Sequence, residues 1–280
     1  MTSESQAHDN VCAPEFCPNS GPTPDFETEP RAPSDHHWLG ILESAVEHGL
    51  TDPDNASALQ VQMAVGLVPP GKMQEKVAAL LASGAAPGAA LDCIARAFND
   101  GDVIELRAVC PNGGGAWSLC GRLSLPEEHD RMLGFIRKHV GRNNLYFGIN
   151  PRKPEMAGTD RSGRAKDIVA RRMAVLDLDL KDAPDADLNW TRTCEALRAL
   201  NPILEINSGN GFHFWFLLEG VDSANLPASV GPLAEAMARL GADNMSDLPR
   251  IARLPYTVNL PTKTKRQRGA VVRLAVPVQE

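Results

Sequence analysis

The run Met173-Ala174-Val175-Leu176-Asp177-Leu178-Asp179 constrains this chain more than any other stretch. It reads as an apolar strand whose last residues are two carboxylates separated by one position. Side chains alternate across a strand, so Asp177 and Asp179 point to the same face. Carboxylates held side by side repel and raise one another's pKa unless a divalent cation neutralises them, and a hard cation such as Mg²⁺ or Mn²⁺ suits oxygen donors of this kind. The alternative is a solvated strand end that simply terminates a sheet. An Asp-x-Asp pair alone does not choose between the two, so the surroundings must.

At 280 residues and 43% hydrophobic content, the chain can bury one large core or two small ones. Its longest apolar runs, such as Phe212 to Leu218 broken by His213, fall far short of the roughly 20 residues needed to cross a bilayer. No membrane partner is expected. The acidic, polar start lacks the basic and apolar regions of a secretion signal, which leads to the expectation of a cytoplasmic protein. Cysteines stand at 12, 17, 93, 110, 120 and 194 without a CxxC pair, so free thiols are expected. Cys12 and Cys17 with His36 and His37 have the right donor atoms for zinc but an unusual spacing in a proline-rich stretch.

The formal charge of −7 is unevenly placed. Residues 1–35 hold seven acids against Arg31 alone, which accounts for most of it. An acidic total therefore leaves room for a basic surface on the folded part. The same 35 residues carry six prolines and few large apolar side chains, the composition of a disordered leader. Residues 36–98 read as a helical extension, with Leu39, Leu42, Val46 and then Val77, Leu80, Leu81 at helical spacing, broken near Pro69-Pro70-Gly71 and between Gly84 and Gly88.

From residue 99 to the end the texture is that of one α+β domain. Val103 to Val109 and Ala116 to Leu119 form a hairpin around Gly113-Gly114-Gly115, and Pro126 opens a helix to about Val140. Leu145 to Ile149 and Arg172 to Leu178 read as strands, and Trp190 to Leu200 as a helix. Pro202 to Ile206 and Phe212 to Leu218 are two more strands, and Pro227 to Leu240 is a helix. A largely antiparallel sheet covered on one side by helices is the expected class.

Two further segments give the acid pair its context. In Ser208-Gly209-Asn210-Gly211-Phe212-His213-Phe214 a glycine-rich turn can bring backbone close to phosphate, and His213 projects to the opposite sheet face from its two phenylalanine neighbours. A histidine in an apolar strand can equally be a satisfied core residue. In Asp247-Leu248-Pro249-Arg250-Ile251-Ala252-Arg253-Leu254-Pro255-Tyr256-Thr257-Val258-Asn259 a third acid precedes two arginines. Their spacing would place them on one face of a helical turn, where a guanidinium fork could hold a triphosphate or else pair with surface acids. From Arg137 to Arg172 ten Lys or Arg face three acids, and Lys263, Lys265, Arg266 and Arg268 follow near the end. Such runs fit phosphate and template contacts, although solvated loops look the same.

In this order the segments resemble the archaeo-eukaryotic primase superfamily, in particular the primase-polymerase domains of phages, plasmids and integrated elements. The matching features are Asp177-Leu178-Asp179 at a strand end, Ser208 through His213, and Asp247 through Asn259. Val103-Ile104-Glu105-Leu106-Arg107 and Asn144 through Arg152 look like two supporting strands of that family, and the likeness spans roughly residues 95–275. Tyr256 departs from the usual glycine, and Gly211 stands where some relatives have serine.

The resemblance implies an RNA-recognition-like mixed sheet bearing the acids, with a small N-terminal α/β module that grips template. It implies that residues 99–280 are a DNA primase or DNA-directed polymerase domain using Mg²⁺ or Mn²⁺ held by Asp177, Asp179 and Asp247. His213 would contact the phosphates of the incoming NTP or dNTP, with Ser208, Gly209, Asn210, Arg253, Arg172 and Lys263 as neighbours. Single-stranded DNA would be the template. No GxxxxGK[ST] segment occurs, so unwinding is expected from a helicase in trans or in a longer chain. A template-binding module without catalysis and a two-metal nuclease are the competing readings.

Overall fold

The computed structural model describes residues 73–179, 186–209, 211–218, 221, 224–267 and 270–278. The acidic leader, the first part of the helical extension, the Cys12, Cys17, His36, His37 group and Asn210 lie outside the described residues. Everything below concerns the unit Asp35–Glu280.

The α+β class is what the structure has, and every strand pairing among the described residues is antiparallel. Helix α1 (Met73–Ser83) and helix α2 (Pro87–Ala95) come first. They break where Gly84 and Pro87 stand, as the sequence suggested. Strands β1 (Ile104–Val109) and β2 (Ala116–Gly121) form the expected hairpin. Helix α3 (Pro126–His139) begins on a proline with Glu127 and Glu128 in its first turn and ends on Arg137, Lys138 and His139, so charge follows the helix dipole at both ends. Strand β3 (Asn144–Gly148) follows, then β4 (Met173–Asp179), helix α4 (Ala186–Ala199), β5 (Leu204–Asn207), β6 (Gly211–Leu217) and helix α5 (Val230–Arg239). The chain closes with β7 (Ile251–Arg253), β8 (Val258–Asn259), α6 (Lys263–Gln267), β9 (Arg273–Leu274) and β10 (Val276–Pro277).

The strands build two four-stranded sheets, ordered β2-β1-β3-β7 and β10-β5-β6-β4, and the ribbon β8-β9. One continuous core joins them. Phe147 of β3 packs on Trp215 of β6 with ring centroids 4.9 Å apart, and Leu91 and Ile94 of α2 with Met132 and Ile136 of α3 are buried in the same cluster. Val77, Leu80 and Leu81 of α1 pack instead against Val258, Leu260 and Val272. The described part of the helical extension therefore shares its packing with the sheets that follow it. No single helix among the described residues is long and apolar enough to cross a membrane.

Two sequence expectations are corrected here. Arg250 and Arg253 do not share a helical face, because Ile251–Arg253 is an edge strand paired with β3, and on a strand residues three apart point to opposite faces. The helix expected from Pro227 starts at Val230, since residues 224–229 form turns in which the Ser229 hydroxyl donates to the Leu226 carbonyl at 2.7 Å and accepts from Arg171 at 2.9 Å.

The first sheet also encloses a full ion pair. Glu105 and Arg152 are both buried, with Arg152 Nε donating to Glu105 Oε2 at 2.9 Å, and Arg107 Nε and the Gly163 amide donate to the same carboxylate. Gly148 makes room for the guanidinium, because a Cβ there would lie 2.3 Å from Arg152 Nη2. Arg152→Met should leave Glu105 buried with only Arg107, Ser118 and the Gly163 amide and cost about 3 kcal/mol in urea unfolding. Glu105→Leu combined with Arg152→Met should recover most of that loss, and a double variant no more stable than the single would show that the pair itself is net stabilising.

Candidate active site

β4 and β6 pair in a register that sets Asp177 opposite His213 and Asp179 opposite Gly211. These positions share one face of the sheet. Phe212 and Phe214 point to the other face, where Trp190 of α4 packs on Phe212 at 5.5 Å and Arg198, held by Glu205, lies over both rings. Helix α4 thus covers the back of the strand pair, and His213 faces away from the two phenylalanines as its alternation demands.

Nε2 of His213 lies 3.2 Å from Oδ1 of Asp177, an ion-pair distance without the direction of a hydrogen bond. Oδ1 of Asp177 and Nδ1 of His213 are both buried without a hydrogen-bond partner. Burial pushes the Asp177 carboxyl up, but His213, Lys265 and Arg253 together outweigh it and hold the pKa below its ordinary value. Asp179 goes the other way. Burial and the charge of Asp177 raise it, Asp243 adds to the repulsion, and Lys265 and His213 offset only part.

Asp243 was not singled out by the sequence. Its amide donates to the Asp177 carbonyl at 2.8 Å in an isolated antiparallel bridge, which brings this acid to the end of β4. Asp247, four residues on, turns elsewhere: its carboxylate accepts from Arg250 Nε, its charge acts on the buried Arg171, and its side chain is 48% exposed. The structure thus places the backbone of Asp243 beside Asp177, while the Asp247 carboxylate pairs with Arg250. Both acids precede the same arginine segment, and spacing alone could not rank them.

Among the described residues no three His, Cys, Asp or Glu side chains converge as a ready ligand set. The donors nevertheless fit a hard divalent cation: oxygen atoms on one sheet face, and mutual repulsion that a cation would relieve. Mg²⁺ in phosphate chemistry commonly takes only one or two carboxylates and fills its other positions from water and phosphate.

Several expected phosphate ligands are committed elsewhere. Arg172 makes a two-pronged pair with Asp102, at 2.9 and 3.1 Å, and five strand residues place it about 16 Å from Asp177 at the other end of β4. Arg253 is buried, with Nη1 donating to Asn144 at 2.8 Å and Nη2 to the Tyr146 hydroxyl at 3.0 Å and to Asn259 at 2.9 Å, while its guanidinium stacks 4.4 Å from the Tyr146 ring centroid. It forms no ion pair among the described residues. Asp177 and Asp179 are the carboxylates whose charge it feels, and burial holds its pKa below the usual arginine value.

The Ser208 hydroxyl and amide both donate to the Gly211 carbonyl, and the Gly209 amide donates to Asn207 Oδ1. These groups shape the turn from within. Asn259 ties the turn to Arg253 by donating Nδ2 to the Ser208 carbonyl at 2.8 Å. Lys263 opens α6 and is exposed, and it is Lys265, two residues on, whose charge reaches both acids.

The two departures from the family pattern have physical causes. Tyr256 adopts φ +53°, the left-handed region where glycine is at ease, so the residue differs while the backbone shape is kept. At Gly211 a Cβ would stand 2.1 Å from the Leu178 carbonyl oxygen, so serine has no room in this strand pair.

No family model matches the chain, and no curated protein is similar to it. Among solved structures, the AEP domain of the cyanophage S-2L primase-polymerase matches with a TM-score of 0.45 and 17% identity, over 68% of this chain and 87% of that one. Primase RepB′ matches with a TM-score of 0.43 and 12% identity, over 70% of this chain and 57% of that one. The catalytic domain of primase RepB′ in complex with initiator DNA gives 0.40 and 14%, over 68% and 85%. Likeness of this size transfers no chemistry, which has to come from the side chains.

Gly211→Ser should force β4 and β6 apart beside Asp179 and cost about 2 kcal/mol, in the range seen for overpacking. Thermal and urea unfolding measure it, and a variant as stable as the parent would show that β4 gives way freely.

Proposed function

We propose that this chain is a metal-dependent nucleotidyltransferase of the primase-polymerase type, which joins NTPs or dNTPs on a single-stranded DNA template. The observation that carries this reading is the end of β4, where Asp177 and Asp179 share one sheet face, His213 stands 3.2 Å from Asp177, and the backbone of Asp243 bridges to Asp177. The ordered motifs that resemble the primase superfamily support it, since the segments they name come together here: β4, the turn before β6, and the Arg253–Asn259 stretch.

Mg²⁺ or Mn²⁺ held by Asp177, Asp179 and Asp243 would supply charge neutralisation at the attacking hydroxyl and the departing pyrophosphate. The chain's own residues do the rest. His213 has Nε2 against Asp177, which leaves Nδ1, buried and unpartnered, as the ring atom to meet a phosphate oxygen, a contact to which a doubly protonated ring would donate. Arg253 holds a fixed positive charge behind the acids, and Asn144, Tyr146 and Asn259 orient it. The Ser208–Gly211 turn, fastened by Asn259, sets where β6 begins and hence where His213 stands.

Incubating the protein with unprimed single-stranded DNA, labelled NTPs or dNTPs and Mg²⁺ or Mn²⁺ tests this directly. Extended products support it, and cleavage of the DNA without incorporation would favour a two-metal nuclease. Asp177→Asn and Asp179→Asn should each reduce incorporation at least about a hundredfold in a folded protein, the scale for losing an electrostatic anchor of the transition state. Asp243→Asn should do the same while Asp247→Asn keeps most activity. Equal loss in the last two variants would return Asp247 to the site.

A further inference from the structure

A nucleoside triphosphate brought to Asp177 and Asp179 needs cations, and most arginines in reach of the sequence motifs are taken. Asp102 holds Arg172, Asp247 holds Arg250, and Asn144, Tyr146 and Asn259 hold Arg253. The Ser208 and Gly209 amides donate inside their own turn.

The segment from Val258 to Leu274 offers two others. Here β8 and β9 pair with Asn259 opposite Arg273, and α6 lies between them. Val258, Leu260 and Val272 anchor this strap on α1. Asn259 fastens it to the Ser208 carbonyl, and the stem of Arg273 lies against Gly209, where an added Cβ would come within 2.9 Å of Arg273 Cβ. Gly209 is two residues from Gly211, which stands opposite Asp179, and Val276 just beyond the strap pairs with Asn207. The strap therefore borders the end of the sheet that carries the acids. Arg273 is half-buried, and its guanidinium makes no hydrogen bond or ion pair among the described residues. Lys265 is exposed on α6, which lies between the paired strands β8 and β9 of the strap.

We infer that Lys265 and Arg273 bind the triphosphate of the incoming nucleotide, with Arg273 reaching it across the Ser208–Gly209 turn and Lys265 from α6. This rests on the nucleotide site proposed above and assigns its phosphate cations. A guanidinium fork matches two phosphate oxygens at once, whereas an ammonium acts as a point charge. Arg273 should therefore be the more geometry-sensitive of the two.

The test uses the full chain with Lys265→Ala, Arg273→Ala and Arg273→Lys. Calorimetry follows inorganic tripolyphosphate and ATP or dATP in Mg²⁺, fluorescence anisotropy follows labelled single-stranded DNA, and thermal unfolding checks the fold. Each alanine variant should bind tripolyphosphate and nucleotide about tenfold more weakly, with DNA affinity within about twofold of the parent, and Arg273→Lys should recover part of the loss. Unchanged triphosphate affinity in folded variants overturns the assignment, and a loss confined to DNA gives the strap to the template instead. A parent that incorporates nucleotides while the variants bind triphosphate equally well sinks this inference alone. A parent that binds triphosphate through the strap but incorporates nothing sinks the polymerase reading alone.

Discussion

The pairing of β4 with β6 fixes almost everything chemical about this protein. A register shift by one residue would set Asp177 opposite Phe212 or Phe214 and so force acids and phenylalanines onto the same face of the sheet. Two features hold the register. The phenylalanines are locked beneath Trp190 and Arg198, and the Trp190 indole donates to the Leu178 carbonyl at 3.2 Å, between the two acids. Gly211 lets the backbones close to a distance that any Cβ would prevent, so the end of the pair is as tight as its middle. Carboxylates that repel one another would drift apart on a loop, and here a packed strand pair carries them.

Arg253 of the first sheet is tied through Asn259 to the turn before β6. A buried guanidinium without an ion pair is expensive, and this one is stabilised by neutral acceptors and an aromatic face. Asn144 and Tyr146 belong to β3, and Asn259 reaches the turn before β6, so one side chain links the first sheet, through Asn259, to that turn. Asn144 also bonds Leu260 through both its amide groups, which extends the connection into the strap. Arg171 is a second buried arginine of this kind, held by Ser229 and the Ser246 carbonyl and pushed down to about 10 by burial. It fixes the loop after α5, from which Asp243 reaches β4.

Where the sequence was legible, it was through periodicity and punctuation. The hairpin at Gly113–Gly115, the proline at the start of α3 and the same-face acids of β4 depend on local rules, and the structure has them. Strands β7 to β10 were missed because they are two or three residues long, and runs that short carry no period. Arg172, Arg253 and Asp247 were expected at a phosphate or a metal because their residue types suit it. Their partners Asp102, Asn144, Tyr146 and Arg250 include residues 70 and 109 positions away, which no local reading could pair with them. Asp243 and Lys265 were passed over for the converse reason, since each stands close in sequence to a residue of the same type.

The strap explains why helix α1 belongs with the two sheets. A helix of five residues is far below the length at which helices hold themselves, and two-residue strands add few hydrogen bonds. The position of α6 and β9 therefore depends on the cluster of Val258, Leu260 and Val272, and that cluster is completed by Val77, Leu80 and Leu81 from α1. Leu274 presses on the end of the same helix, where a Cβ at Gly84 would lie 2.7 Å from its Cδ2. Removing α1 would leave both sheets with their main core, yet strip the apolar support from the strap that carries Lys265 and Arg273. The helix is thus distant from the acids along the chain and still supports the strap beside the turn before β6.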